Sequence, residues 1–274
     1  MLTLMYITNS PEVAKTADRA GVDRIFIDLE QYGKQKRQAN WDSVKSKHSI
    51  ADIPRVKAVL ENAELLVRTD PVFDGIEEEI EGVLSHSPDV VMLPYFKTVK
   101  EVETFLNFVG GRAKTSLLVE TKEAAEKLDD ILSLGGIDEI HIGLNDLSHS
   151  HGKRFLFEEL ADGTVDELAE RIKAHGIAHF GFGGIASLGK GLLPAEMIIP
   201  EHYRLGSSCA ILSRAFCDTS KVTDLGDIER IFTDGVKAVR NFELQCSRMS
   251  AEELQRNSAA LKERVKEIVG NMPN

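Results

Sequence analysis

Two carboxylates, Glu120 and Asp146, are placed in this sequence to do chemistry together. The apolar run Leu117–Val119 ends abruptly in Glu120, and Ile137–Ile142 leads through the turn Gly143–Leu147, which carries Asp146. Between them Thr121 can cap a helix whose apolar positions, Ala124, Ala125, Leu128, Ile131 and Leu132, follow a helical period until Gly135 and Gly136 stop it. A β-α-β unit of this kind makes its two strands parallel and adjacent, about 5 Å apart. Acids just beyond their C-terminal ends can converge on one point, where they repel unless a cation or proton lies between them. A hard divalent ion with waters in its remaining positions suits such a pair. The alternative is two unrelated solvated acids at strand ends.

Two earlier segments end in equally reactive residues. R-I-F-I-D-L-E-Q closes an apolar run with Asp28, Glu30 and Gln31. Asp28 is either a site carboxylate, an acid at a helix N-terminus, or a partner for Lys34 or Arg37. E-L-L-V-R-T-D closes another run with Arg68. A guanidinium at the inner end of a buried strand requires an anion. It is either a fork for a substrate carboxylate or enolate oxygen, or half of a structural salt bridge to Glu30 or Asp70.

The elements that position these residues alternate along the whole chain. Strand-like runs occupy Leu2–Ile7, Arg24–Leu29, Glu64–Val67, Val90–Leu93, Ser116–Val119, Asp138–Ile142, Ile177–Gly181 and Tyr203–Leu205, each followed by a helical stretch. Ser10-Pro11 opens the first helix. Thr98/Glu101, Thr164/Glu167 and Ser250/Glu253 have capping-box spacing. Eight alternations predict an α/β fold, a (β/α)8 TIM barrel over residues 1–219 with its chemistry at the C-terminal strand ends; an open doubly wound sheet is the other solution. Residues 220–274 read as a charged helical extension, packed on a neighbouring subunit or on its own barrel. Pro94-Tyr95-Phe96 would form pocket wall beyond the fourth strand, and Gly206–Cys209, after the eighth run, would put Ser207 at the pocket rim.

These motifs together resemble the HpcH/HpaI aldolase and citrate lyase β-subunit family. The likeness is carried by Asp28-Leu29-Glu30, Arg68, Val119-Glu120-Thr121 and Gly143–Ser148, in order on successive strand ends. The resemblance implies a barrel in which Glu120 and Asp146 bind Mg²⁺ or Mn²⁺ and a keto acid or its enolate sits on that ion. Arg68 would then donate to the developing enolate oxygen, with Pro94, Gly143, Leu144, Asn145 and Ser207 lining the substrate. Asn145 departs from the family's motif, and so does Gln31. Citrate lyase-like members carry Asp-Leu-Glu-Asp and pyruvate aldolases Asp-Gly-Glu-His, whereas a Gln amide takes no proton at neutral pH. Glu30 or a metal-bound water must then move the proton, while Gln31 orients a substrate oxygen. No Lys ends a central strand, which disfavours a Schiff base. The implied activity is a metal-dependent carbon–carbon lyase acting through an enolate of a pyruvate-like 2-keto acid or an acyl-CoA. A thioester hydrolase on the same pocket, or a non-catalytic oxoacid binder, are the alternatives. C-terminal helices join subunits in several family members, so a homo-oligomer, trimeric or hexameric, is expected.

Composition narrows the partners. With 33 Lys+Arg against 44 Asp+Glu the net charge is -11, which disfavours nucleic-acid phosphates as a partner. Three cysteines without metal-ligand spacing suit a reducing compartment. The start MLTLMYITNS is too short and too weakly basic for a signal peptide, and no apolar run reaches membrane-spanning length. A soluble, cytoplasmic protein without membrane contact is the expectation. His149 and His151 could pair on a metal but read more simply as loop histidines, and His179 as an interior one. Gly184–Lys190 matches the first part of a Walker A pattern but lacks its Ser/Thr. Gly181–Gly191 is better explained as a close-approach turn after strand seven, whose N–H groups could hold a ligand anion.

Overall fold

Short aliphatic runs buried on both faces build a parallel sheet. In the computed structural model, which describes residues 1–32 and 47–272, these runs form β1 (Thr3–Ile7), β2 (Arg24–Asp28), β3 (Glu64–Arg68), β4 (Val90–Leu93), β5 (Lys114–Val119), β6 (Glu139–Ile142), β7 (His179–Ile185) and β8 (Cys209–Leu212). They are parallel, pair in sequence order, and close through β8 on β1. Alternate residues serve two cores, as the strand period requires. Ile25, Ile27, Leu65 and Val67 face the helices; Met5, Phe26, Leu66, Met92 and Leu118 fill the barrel interior. Lys34 and Arg37, considered above as partners of Asp28, lie outside the described residues.

The eighth strand is not where the apolar run Tyr203–Leu205 suggested. That run ends the helix Ala195–Leu205. Its buried Ile198, Ile199, His202 and Leu205 follow a helical period, and Gly206 closes it in the left-handed conformation at φ 72°. The true strand follows at Cys209–Leu212. Ser207 therefore precedes β8, and its Oγ lies 3.2 Å from the Phe180 carbonyl near the start of β7. It belongs to the end of the barrel opposite the predicted pocket. The glycine-rich stretch is also corrected: Gly181, Gly183 and Gly184 lie within β7. A Cβ at Gly181 would stand 2.2 Å from the Cys209 carbonyl oxygen, so contact with β8 demands the glycine.

Thr98 and Ser250 form the expected capping boxes. Thr164 does not; Gly163 is the cap residue there, and the Thr164 hydroxyl bonds Asp162 at 2.8 Å. His179 is exposed at the start of β7, and the interior histidine is His141. Its Nε2 lies 3.1 Å from the Gly183 carbonyl and its Nδ1 3.8 Å from Cys209 Sγ. Burial pushes His141 down to about 4. Burial, helped by His141, pushes His202 down to about 3 where it stacks on Phe182.

Both C-terminal helices lie on the barrel. Leu225–Cys246 packs against Pro11–Arg19 and Ala195–Leu205, and its buried Glu243 accepts the Leu2 N–H at 2.6 Å. Ala251–Gly270 packs against Ala195–Leu205 and Glu158–Ala161. Among the described residues no helix is long and apolar enough to cross a membrane.

Two consequences can be measured. Gly181→Ala should cost about 1–3 kcal/mol or more in denaturant unfolding, whereas Gly270→Ala, with nothing within 4 Å of its new Cβ, should stay within about 0.5 kcal/mol. His141 and His202 have folded pKa values below the usual 6.5. Their contribution to stability is present above pH 6.5 and is lost as pH falls from there toward about 4 for His141 and about 3 for His202. The expected slope is up to about 1.4 kcal/mol per pH unit for each. His202→Phe, which keeps an aromatic stack on Phe182, should reduce proton uptake on unfolding at pH 5 by one.

Candidate active site

The register of β2 on β3 sets Asp28 directly beside Arg68. Asp28 takes the guanidinium in a two-point fork, Nε to Oδ1 at 2.8 Å and Nη2 to Oδ2 at 2.8 Å, and Glu30 Oε2 lies 3.4 Å from Nη2. The guanidinium carbon also sits 5.3 Å from the Phe26 ring centroid, above the interior core. Of the two acids the sequence offered Arg68, Glu30 is an ion partner, whereas the closer one, Asp28, was not among them and Asp70 serves backbone amides instead. Burial alone would lower the Arg68 pKa; Asp28, Glu30 and, more weakly, Glu120 reverse that and raise it. Arg68 is a permanent cation here.

Across the barrel mouth β5 delivers Glu120, 5% exposed, one residue past the strand. Burial, then the charges of Asp146 and Glu30, drive its pKa well above the usual carboxylate range, while Arg68 and the Tyr95 N–H pull the other way. Asp146 stands in the first turn of a short helix, Leu144–Ser150, where the sequence suggested only a turn. Glu30, Arg68, Glu120 and Asp146 are thereby gathered at one end of the barrel from strands two, three, five and six. Among the described residues the acids here outnumber the cation, and like charges are held together in a low-dielectric place.

Glu120 is held by its neighbours. Tyr95 donates its N–H to Glu120 Oε1 at 3.0 Å from a left-handed backbone, φ 48°. A non-glycine residue in that region carries strain of order 1–3 kcal/mol, a cost often found at working sites. Thr121 caps the helix Lys122–Glu126 and donates its hydroxyl to the Phe96 carbonyl at 2.8 Å, tying β5 to β4. Gly143 has no room for a side chain: a Cβ there would come 2.8 Å from Glu120 Cβ and 2.9 Å from its Oε2. Asp28 N–H donates to His48 Nδ1 at 2.9 Å.

The remaining sequence-predicted residues separate. Pro94 is buried and Asn145 exposed at the mouth. The Leu144 side chain is buried toward Gly183, in the core rather than the pocket. Gln31 is exposed, and its amide donates to the His48 carbonyl at 3.2 Å. Ser207 is at the far end, as described. His151 Nδ1 is committed to Glu159 at 2.9 Å, and among the described residues no three His, Cys, Asp or Glu side chains form a ready metal cluster. The donor set at the mouth is the oxygen pair Glu120 and Asp146, with Glu30 near. Two or three carboxylate oxygens are the protein's usual share for an ion that keeps several waters, so these are the residues that could hold one. Sequence reasoning missed the Tyr95 backbone, the close approach at Gly143, and His48. Only the glycine left a signal, at the end of an apolar run.

The sequence profile of the HpcH/HpaI aldolase/citrate lyase family matches residues 2–181. Solved structures share the fold. The HpcH/HpaI aldolase from Desulfitobacterium hafniense DCB-2 is 14% identical with TM-score 0.60, over 87% of this chain and 93% of that one. An HpcH/HpaI aldolase/citrate lyase family protein from Burkholderia cenocepacia J2315 is 12% identical with TM-score 0.63, over 83% and 94%. The citrate synthase SbnG is 17% identical with TM-score 0.60, over 87% and 92%. No curated protein sequence matches the chain.

The charge arrangement makes a prediction independent of any activity. Arg68→Met leaves Asp28, Glu30 and Glu120 without their cation and should cost about 3–5 kcal/mol at neutral pH. Adding Asp28→Asn should recover part of that loss. A double-mutant cycle by urea unfolding reads the coupling, and strict additivity would show that the fork is not an energetic unit.

Proposed function

The chain belongs to the HpcH/HpaI aldolase/citrate lyase family, and from that premise we propose that it is a divalent-metal-dependent carbon–carbon lyase acting through the enolate of a pyruvate-like 2-keto acid or an acyl-CoA. The observation that supports the proposal is the gathering of buried Glu120 with Asp146 and Glu30 beside Arg68, which among the described residues is the cation that bears on Glu120. Glu120 and Asp146 would hold Mg²⁺ or Mn²⁺. When bound, the ion supplies Lewis-acid polarisation of the keto oxygen and an electron sink.

The chain's own groups divide the remaining work. Arg68, aimed by its fork on Asp28, donates to the oxygen that becomes enolate, so it stabilises charge that develops only as the bond breaks. Glu30, 4% exposed and within ion-pair reach of Arg68, is the carboxylate that moves the proton at the substrate's methyl carbon. Gln31, turned to the His48 carbonyl, orients the segment that carries Glu30. Tyr95 keeps Glu120 in place through its N–H. Buried side chains around the mouth exclude water from the reactive carbon.

Deuterium entry into the methyl of pyruvate, with Mg²⁺ or Mn²⁺ present, isolates the enolisation step. The wild-type protein should exchange, and Arg68→Ala should lose about 10²–10³ in turnover. Glu30→Gln should be severely slowed, and Glu120→Ala should lose Mn²⁺ affinity in direct titration. Full exchange in Glu30→Gln would remove Glu30 from the proton path. Release of coenzyme A from acetyl-CoA without carbon–carbon cleavage would select a thioester hydrolase instead.

A further inference from the structure

The segment that carries Glu30 leaves β2 with five consecutive backbone N–H groups, and each has a named partner. Asp28 donates to His48 Nδ1, Leu29 to the Arg68 carbonyl at 2.9 Å, and Glu30 to Asp28 Oδ1 at 3.2 Å. Gln31 and Tyr32 both donate to one atom, Asp70 Oδ1, at 2.5 and 2.7 Å. Asp70 follows Arg68 by two residues, so the strand that supplies the guanidinium also supplies the carboxylate that pins the far side of Glu30. Asp70 is itself fixed, since its N–H donates to Glu79 Oε1 at 2.8 Å. Burial, then the Asp70 charge, raises Glu79 to about 7 against the pull of the Asp70 N–H. Tyr32 adds an apolar tie on the same side, its ring stacked on Phe73 with centroids 5.1 Å apart.

We propose that Asp70 is a positioning residue for Glu30: by gathering the Gln31 and Tyr32 amides on one oxygen it holds the Glu30 carboxylate against Arg68 and the pocket. The inference rests on the lyase reading for its catalytic consequence, but its geometric part stands apart from it. Two bonds from a charged acceptor to consecutive amides are stronger than neutral ones and fix direction as well as distance. Asp70 touches no reacting atom in this scheme; it acts through the backbone of its neighbours. Displacement of a reacting group by about 1 Å is worth as much as 10²-fold in rate, so release of this clamp should appear in turnover far more than in binding.

The test compares Asp70→Ala, which removes the acceptor, with Asp70→Asn, which keeps an oxygen at the same place. In metal-loaded pyruvate methyl exchange, Asp70→Ala should lower kcat by about 10- to 100-fold with KM within about threefold, and Asp70→Asn should restore most of the loss. Amide hydrogen exchange on the full chain should accelerate at Gln31 and Tyr32 in Asp70→Ala, with the unfolding midpoint held near that of the wild type. Equal kcat in Asp70→Ala and wild type overturns the proposal, as does a loss that Asp70→Asn fails to rescue. If the wild type itself exchanges no pyruvate deuterium, the lyase reading fails, and the amide measurement alone decides the clamp. Unchanged exchange at Gln31 and Tyr32 in Asp70→Ala would then sink it.

Discussion

Among the described residues, one guanidinium held against several acids is the constraint on which the barrel mouth depends. Arg68 reaches Asp28 through two bonds and Glu30 through a longer one, and its charge is felt by Glu120 on the far side. Burial of an unpaired guanidinium would be prohibitive, and burial of these acids without it equally so. The pairing with Asp28 is set by strand register alone, because the two residues end neighbouring parallel strands. What register cannot set is the balance of charge. Among the described residues Glu120 and Asp146 add negative charge to that of Asp28 and Glu30, and Lys97, on the loop after β4, is committed to Glu123 at 3.2 Å.

Backbone placement, not side-chain reach, delivers most of this geometry. Glu120 is fixed by an amide from a strained Tyr95 on one side and by the absence of a side chain at Gly143 on the other. Glu30 is fixed by hydrogen bonds to the amides around it. Such supports favour short range and exact direction, because they belong to strand ends whose own positions the closed sheet determines. The same closure explains Gly181 and Gly184 of β7, which let β8 approach.

The fold and the acids of the site were legible because both rest on local signals: apolar runs of strand length, a helical period between them, and charged residues where the runs stop. The strand-end positions of Asp28, Arg68, Glu120 and Asp146 needed nothing more, while the roles given them came from the family resemblance. The sequence failed where a signal was shared between states. Tyr203–Leu205 is apolar enough for a strand, yet the period that extends back through His202 and Ile198 makes it helix, and the error carried Ser207 to the wrong end of the barrel. Leu144 stands inside the right motif, but its side chain follows the helix period into the core. Tyr95 and His48 act through a backbone N–H and a ring nitrogen placed by tertiary contacts, and no spacing rule reports those.

The two ends of the barrel answer the same problem differently. At the N-terminal end Arg24 is buried beneath Met5 with both oxygens of Glu139, at 2.7 and 2.9 Å, and with Glu64, which also holds Lys114 at 2.7 Å. Two cations meet two acids there, every charge has a close partner, and the arrangement leaves little for a ligand to improve. At the C-terminal end the buried cation is already spent on Asp28 and Glu30, and Glu120 remains under pressure from its neighbours. Removing one partner from a fully paired buried network is costly whether or not anything binds. A buried acid pressed by like charges, as Glu120 is, is eased by a proton or by a nearby positive charge.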